Sequence, residues 1–104
     1  MRIRRKKRVK IDKEVLVTRT VRAKGLDLSE DGMYIYSKST FIPGCIVNVS
    51  FSLDDEPLDI VAKVRHIQPG VGFGVTFCDL KESVASKIRQ YLAAVDAGPS
   101  AASA

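Results

Sequence analysis

The sequence predicts a mostly β domain, either an antiparallel sandwich or a closed barrel, followed by one α-helix. Apolar and polar residues alternate through much of the second half, which is the period of half-buried strands. Polar turn sequences separate these runs. Near the C-terminus the apolar spacing becomes that of an amphipathic helix. With 104 residues the chain is long enough for one hydrophobic core, so we expect a single domain.

The first half of the chain contains three strand-like runs. The β part opens at residues 14–18, and a second run at 21–28 leads into a polar turn. The third run, at 33–36, is rich in strand-forming residues. Residues 18–20 contain no Gly, Pro or Asn, so the sequence does not place a tight hairpin there.

The second half contains three runs with a clear period of two, and each therefore predicts a strand with one buried face. An acidic turn separates the first run from the second, and a Pro-Gly pair separates the second from the third. The apolar faces are, in chain order, Val47, Val49, Phe51 and Leu53; Leu58, Ile60, Ala62 and Val64; and Val71, Phe73, Val75 and Phe77.

A helix is predicted over residues 82–95, and its apolar stripe is expected to cover one open end or face of the β part. A partner-binding helix is the alternative. Asp79 and Glu82 have the spacing of a capping box, which would start the helix just after the last strand. Residues 96–104 are small and low in complexity, so we expect a disordered tail. The stripe consists of Val84, Ile88, Leu92 and Val95, with Tyr91 beside it.

The net charge of +5 is concentrated near the N-terminus. Through Lys24 there are 11 basic and 2 acidic residues, whereas 6 basic and 10 acidic residues follow. This distribution predicts a local anion site rather than general adhesion to polyanions.

The sequence gives little support to an enzyme or a metal site. His66 is the only histidine, and its position at the end of an apolar face is typical of a packed or strand-end histidine. Cys45 and Cys78 lack metal-ligand spacing, and we expect buried or half-buried thiols in a reducing cytoplasm. Ser29 lacks the context of a nucleophilic serine. No apolar stretch approaches the length of a membrane span, so we expect a cytoplasmic, soluble chain without cofactor or metal.

The polar turn at residues 27–32, with the sequence DLSEDG, is a candidate binding element. Asp27 supplies a carboxylate that accepts hydrogen bonds, and Ser29 supplies a hydroxyl. Residues i and i+2 of an extended segment point to one side, so both groups are expected to face one ligand. Gly32 is expected to have a positive φ and to let a flat group lie against the backbone. A plain hairpin loop is the alternative, since turns prefer these residues.

The basic arm at residues 1–10 is the second candidate element, and a solvated tail is its alternative. Arg4 and Arg8 are four residues apart with no apolar residue between them. A guanidinium pairs bidentately with phosphate or with the O6/N7 edge of guanine, and it stacks on aromatic faces. A purine nucleotide can make all three of these interactions. Guanine also has N–H groups that can donate hydrogen bonds to Asp27.

Three motifs in this order resemble the PilZ family, bacterial receptor domains for cyclic di-GMP. The arm sequence RRKKR at residues 4–8 is similar to the family's R-x-x-x-R motif. The turn at 27–32 is similar to its [D/N]-x-S-x-x-G motif. Residues 72–80, GFGVTFCDL, resemble its last barrel strand running into the C-terminal helix. The resemblance covers about residues 3–94.

The resemblance implies a six-stranded antiparallel β-barrel at residues 11–95, including the C-terminal helix, with a flexible ligand-binding arm at 1–10 and the tail at 96–104. It implies a non-catalytic bacterial receptor that binds cyclic di-GMP and relays the signal to a protein partner when the arm becomes ordered. The implied ligand residues are Arg4, Arg5, Arg8, Asp27, Ser29 and Gly32.

Two other functions remain as alternatives. A small nucleic-acid-binding barrel would use the basic arm to follow phosphates, but the rest of the chain is net acidic, so we expect no DNA or RNA partner. An adaptor would bind a protein through the helix face without any nucleotide. The sequence does not identify the downstream partner.

Overall fold

The six strands form a closed antiparallel barrel, and one helix follows them. The computed structural model describes the backbone of residues 8–103 and the side chains of residues 8–95. The strands are β1 (Val9–Val17), β2 (Val21–Leu28), β3 (Gly32–Tyr36), β4 (Ile46–Leu53), β5 (Glu56–Gln68) and β6 (Gly72–Phe77), and the helix is α1 (Glu82–Ser103). Around the barrel the order is β1-β2-β3-β6-β5-β4. The predicted fold class is confirmed, and of the two architectures left open by periodicity the barrel is the right one.

The barrel interior is the hydrophobic core. The three alternating faces predicted in the second half are buried, apart from Val71, which precedes β6 and is 49% exposed. Met33 and Ile35 of β3 and Val15 and Val17 of β1 complete the core. Burial of this apolar face fixes the register, since a slip by one residue would turn each strand's apolar side chains to solvent.

The two ends of the barrel are covered differently. At one end the loop between β3 and β4 places Phe41 against Phe73, with ring centroids 5.1 Å apart. At the other end Ile88 and Leu92 of α1 join the core cluster, and α1 contacts β1 and β4. The predicted packing of the apolar stripe against the barrel is therefore confirmed for these two residues.

The strand β1 begins earlier than predicted and ends in a tight turn. It starts at Val9, five residues before the predicted opening at residue 14. The turn is closed by a hydrogen bond from the Thr20 amide to the Val17 carbonyl, and Thr18 and Arg19 both have positive φ. Two positive φ values at the central residues define the type I′ turn that hairpins favour. The sequence did not indicate it, because glycine and asparagine are missing.

The helix α1 begins at Glu82, but not through the predicted capping box. Asp79 has a positive φ of 50°, and Glu82 pairs with Arg89 along the helix. That prediction is therefore wrong. The helix continues to Ser103, beyond the predicted end at Val95. The side chains after Val95 lie outside the described part of the chain, and the disordered tail at 96–104 stays a prediction.

Candidate functional site

The outer face of the barrel near the β2–β3 turn holds the candidate site. Gly25 pairs with Ile35 and Asp27 pairs with Tyr34, so Leu26 is an extra residue in β2. Without this bulge Asp27 would follow Gly25 onto the inner face, because side chains alternate along a strand. The bulge instead turns Asp27 outward while Leu28 stays fully buried.

Arg8 and Asp27 form an ion pair on this face. The Arg8 guanidinium donates through Nη1 to Asp27 Oδ1 at 2.7 Å. The same oxygen accepts the backbone N–H of Tyr34 at 3.0 Å. The side chains are 54% and 29% exposed, so the pair contributes only about 0.2–1 kcal/mol to stability. A ligand group that donates to the same carboxylate can therefore replace Arg8 at small cost.

Ser29 is buried inside its own turn. It is 2% exposed, and its hydroxyl oxygen accepts the backbone N–H groups of Asp31 at 3.1 Å and Gly32 at 3.2 Å. The Ser29 amide donates to the Gly32 carbonyl at 2.9 Å, which closes the turn. The hydroxyl does not share the open face that Asp27 occupies. Its assignment as a ligand contact stays a prediction.

Gly32 is required by a close approach of two strands. A Cβ placed on Gly32 would overlap the carbonyl oxygen of Val75 in β6 and come within 3.1 Å of the Val75 carbonyl carbon. Positive φ among the described glycines occurs at Gly44 and Gly70, so the expected positive φ at Gly32 is wrong. The space beside its α-carbon is filled by β6. Its predicted contact with a ligand remains untested.

The predicted arm is only partly described. Arg4 and Arg5 lie outside the described residues, so their assignment to the site stays a prediction. Arg8 immediately precedes β1, and Val9 and Lys10 belong to that strand. Lys10 pairs with Asp27 across the β1–β2 ladder. The strand pairing therefore carries the end of the arm to the β2–β3 turn.

A row of outward residues continues from Asp27 across the barrel. Asp27 pairs with Tyr34, Tyr34 with Gly74, and Gly74 with His66. Arg65 forms a second bulge, in β5, which leaves both Arg65 and His66 on the outside. The histidine is thus an exposed residue two positions before the end of its strand.

Comparison with known proteins agrees with this architecture. A family model described as the PilZ domain matches residues 2–94. The chain belongs to the PilZ domain family. No curated protein matches the chain. PilZ domains are known as non-catalytic binding domains, and the family is one of cyclic di-GMP receptors.

A surface cleft in the described part of this PilZ domain borders β2, the strand that carries Asp27. It has a volume of about 700 Å³ and is bordered by residues of β1 to β4 and by the loop after β3. The cleft is not lined by the described motif residues Arg8, Asp27, Ser29 and Gly32. It is lined by Lys24, three residues before Asp27 on β2, and by Tyr36, two residues after Tyr34 on β3. A surface site that is covered by an arm needs no deep cleft. The candidate site is therefore the surface around the Arg8–Asp27 ion pair, and not this cleft.

Metal-binding groups of side chains are absent from the described part of this PilZ domain. Among those residues no three His, Cys, Asp or Glu side chains are grouped so that they could hold a metal ion. Cys45 and Cys78 are free and half-buried, as expected. None of the described helical segments has both the length and the hydropathy to cross a bilayer.

Sequence reasoning missed Tyr34 as a residue of the site. Tyr34 lies between Asp27 and Gly74, and its hydroxyl donates to Gln68 Oε1. The signal in the sequence was Tyr34 itself, an aromatic residue two positions after the turn motif. Its outward direction depends on strand register, which a single sequence does not reveal.

Proposed function

We propose that this PilZ domain is a non-catalytic bacterial receptor for cyclic di-GMP, acting in the cytoplasm. One observation carries the proposal. Arg8 and Asp27 are 19 residues apart, one in the arm motif and one in the turn motif, and they meet at 2.7 Å on the outer face of the barrel. The two motifs thus supply a hydrogen-bond acceptor and a cation at one place.

The chemistry of the pair suits a guanine nucleotide. A carboxylate accepts the N1–H and N2–H donors of guanine, and adenine has no such pair of donors. Asp27 Oδ1 already accepts two hydrogen bonds, whereas Oδ2 has no hydrogen-bond partner among the described residues. In the proposed complex the base replaces Arg8 at the carboxylate. The freed guanidinium then pairs with a phosphate or with the O6/N7 edge of a base.

The remaining motif residues have complementary roles in this proposal. Arg4 and Arg5 contact phosphates from the arm. Ser29 and Gly32 keep the turn closed so that Asp27 is held at the base edge, and the Ser29 hydroxyl is a further candidate hydrogen-bond partner for guanine. Because several contacts are charge-assisted, we expect affinity to fall as salt rises.

The output of such a receptor passes through another molecule. In this proposal ligand binding brings the arm over the nucleotide, and the changed surface is recognised by a downstream protein. Arg8 is the link, because its side chain contacts the barrel without ligand and the nucleotide with it.

Isothermal titration calorimetry with cyclic di-GMP tests the proposal. Cyclic di-AMP and a short single-stranded RNA serve as comparison ligands. We expect saturable binding to the guanine dinucleotide alone. Asp27→Asn should abolish or greatly weaken it, because the amide keeps an oxygen for the Tyr34 N–H but loses the charge and one acceptor. Arg8→Ala should weaken binding in the same way.

The matched control is Asp59→Asn. Asp59 also pairs with an arginine at 2.7 Å, but on β5 and away from the turn. It should leave affinity within a factor of about two, as expected for a surface change outside the site. If the parent protein shows no binding of cyclic di-GMP, the proposal is wrong. Equal binding by Asp27→Asn and the parent would overturn the role of that carboxylate.

A further inference from the structure

Tyr34 has an arrangement that the fold alone does not explain. Its neighbours across the sheet are Asp27 on β2 and Gly74 on β6. Its backbone N–H donates to Asp27, and its hydroxyl donates to Gln68 on β5. Tyr34 is therefore held at two points: its backbone N–H is bonded to the carboxylate of the candidate site, and its hydroxyl is bonded to β5.

The ring lies over the glycines of β6. A Cβ on Gly74 would be 3.8 Å from Tyr34 Cδ1, and a Cβ on Gly72 would be 3.1 Å from Tyr34 Cε2. These two ring atoms are diagonally opposite each other, so the ring spans both glycine positions. One face of the ring is directed at the β6 backbone, and the residue is only half-buried. Because β6 covers one side of the ring, the accessible part of Tyr34 lies on the side away from β6.

No described side chain uses that outer face for an aromatic or cationic contact. Within residues 8–95 the ring pair is Phe41 with Phe73, and the cation–π contact is Lys13 with Tyr91. A fixed aromatic ring with an accessible side, two strands away from a hydrogen-bonding carboxylate, has the geometry of a base-stacking surface. Since the ring is already held, little side-chain entropy remains to be lost when a base stacks on it.

We propose that Tyr34 is the stacking platform for the guanine that Asp27 binds by its edge. Asp27 on β2 and the ring over β6 lie about two interstrand spacings apart, roughly 9–10 Å. A hydrogen bond plus a bicyclic purine covers this distance. The carboxylate then selects guanine, whereas the ring contributes affinity that does not depend on which base is present. This inference rests on the proposed function.

A purely structural role is the competing explanation. An aromatic ring over strand glycines also covers backbone and strengthens the sheet. The two roles separate by substitution. Tyr34→Leu keeps an apolar cover over Gly72 and Gly74 but removes the aromatic face, and Tyr34→Phe keeps the face but loses the hydrogen bond to Gln68.

The test is calorimetric titration of the full chain with cyclic di-GMP. We expect Tyr34→Leu to weaken binding about tenfold or more and Tyr34→Phe to stay within about threefold of the parent. The matched control is Tyr36→Leu, because Tyr36 is two residues further along β3, also outward, and 41% exposed. It should bind like the parent. Thermal unfolding of each variant measures the structural contribution separately.

A spectroscopic measurement gives a second readout that does not depend on the binding heat. The chain has three tyrosines and no tryptophan, so tyrosine fluorescence is directly observable. Stacking should quench it on ligand addition in the parent and in Tyr36→Leu, and the quench should be largely lost in Tyr34→Phe. If Tyr34→Leu binds like the parent, Tyr34 is no platform although the receptor proposal stands. If the parent binds no cyclic di-GMP, both proposals fail.

Discussion

The carbonyl oxygen of Val75 lies only 2.0 Å from the position where any residue other than glycine at 32 would place its Cβ. Gly32 and Thr76 are paired across the β3–β6 ladder, and Val75 is the preceding residue. The last residue of the turn motif is therefore fixed by strand contact, independently of any ligand. Weak binding by a Gly32 variant would consequently not show that Gly32 touches the nucleotide.

We predict that Gly32→Ala destabilises the domain strongly. The added methyl group meets backbone, which cannot rotate away, so β3 and β6 must separate locally. The loss should reach or exceed the upper end of the roughly 1–3 kcal/mol typical of overpacked cores. Urea unfolding measures it.

Gly74→Ala is the control for that variant, because its Cβ would have only ordinary contact with Tyr34 at 3.8 Å. It should change the free energy of unfolding by less than about 1 kcal/mol. Equal stability losses at the two glycines would contradict the steric explanation.

Ser29→Ala should destabilise the domain by about 1–2 kcal/mol, because the backbone N–H groups of Asp31 and Gly32 both lose their acceptor. Chemical denaturation gives the value. Ser52→Ala, on the exposed side of β4, should stay within about 0.5 kcal/mol of the parent. A Ser29 variant as stable as the parent would contradict the structural role of these two hydrogen bonds.

Stability should fall above pH 10 in a way that depends on Tyr91. Burial, and next the Asp54 carboxylate, raise the pKa of Tyr91 above its usual 10.0. The folded state then holds the phenol proton more tightly than the unfolded state, so stability is lost as pH rises from about 10 through the folded pKa. Tyr91→Phe should flatten this decline in thermal unfolding temperature between pH 9 and 11. If the thermal unfolding temperatures of the parent and of Tyr91→Phe fall equally over this range, groups other than Tyr91 determine the loss of stability at high pH.

The β4–β5 turn offers a stabilising substitution. Asp54 and Asp55 have φ values of 50° and 67° between the paired residues Leu53 and Glu56. This is a two-residue turn with both central residues left-handed, and glycine adopts that conformation without steric cost. Asp55→Gly should raise stability by about 0.5–1 kcal/mol, measured by thermal melting. A lower melting temperature would show that the Asp55 carboxylate contributes more than the strain removes.

The sequence predicted the strands and the core well but not the directions of particular side chains. Period-two patterns located β4, β5 and β6 because each has a fully apolar inner face. The bulges at Leu26 and Arg65 depend on which residues pair across strands, and a single sequence carries no such information. The rule that places residues i and i+2 on one side did not apply to Asp27 and Ser29 for another reason: β2 ends at Leu28, so Ser29 already lies in the turn.

The motif residues were predicted from the resemblance, and the structure separates their physical roles. Asp27 lies on the open face, whereas Ser29 is enclosed by the amides of its own turn. Both are polar residues in a turn, so their composition could not distinguish them. The early start of β1 was missed because its first residues continue the basic charge of the arm.

The barrel is closed by a short seam. The β1–β4 ladder contains the pairs Leu16 with Ser50 and Val17 with Val49, whereas the β4–β5 ladder contains eight pairs. The helix α1 contacts these same two strands, β1 and β4. A chain shortened to end before Glu82 would leave two neighbouring strand edges without this cover. Unpaired edges recruit strands from other molecules, so we expect the shortened chain to self-associate.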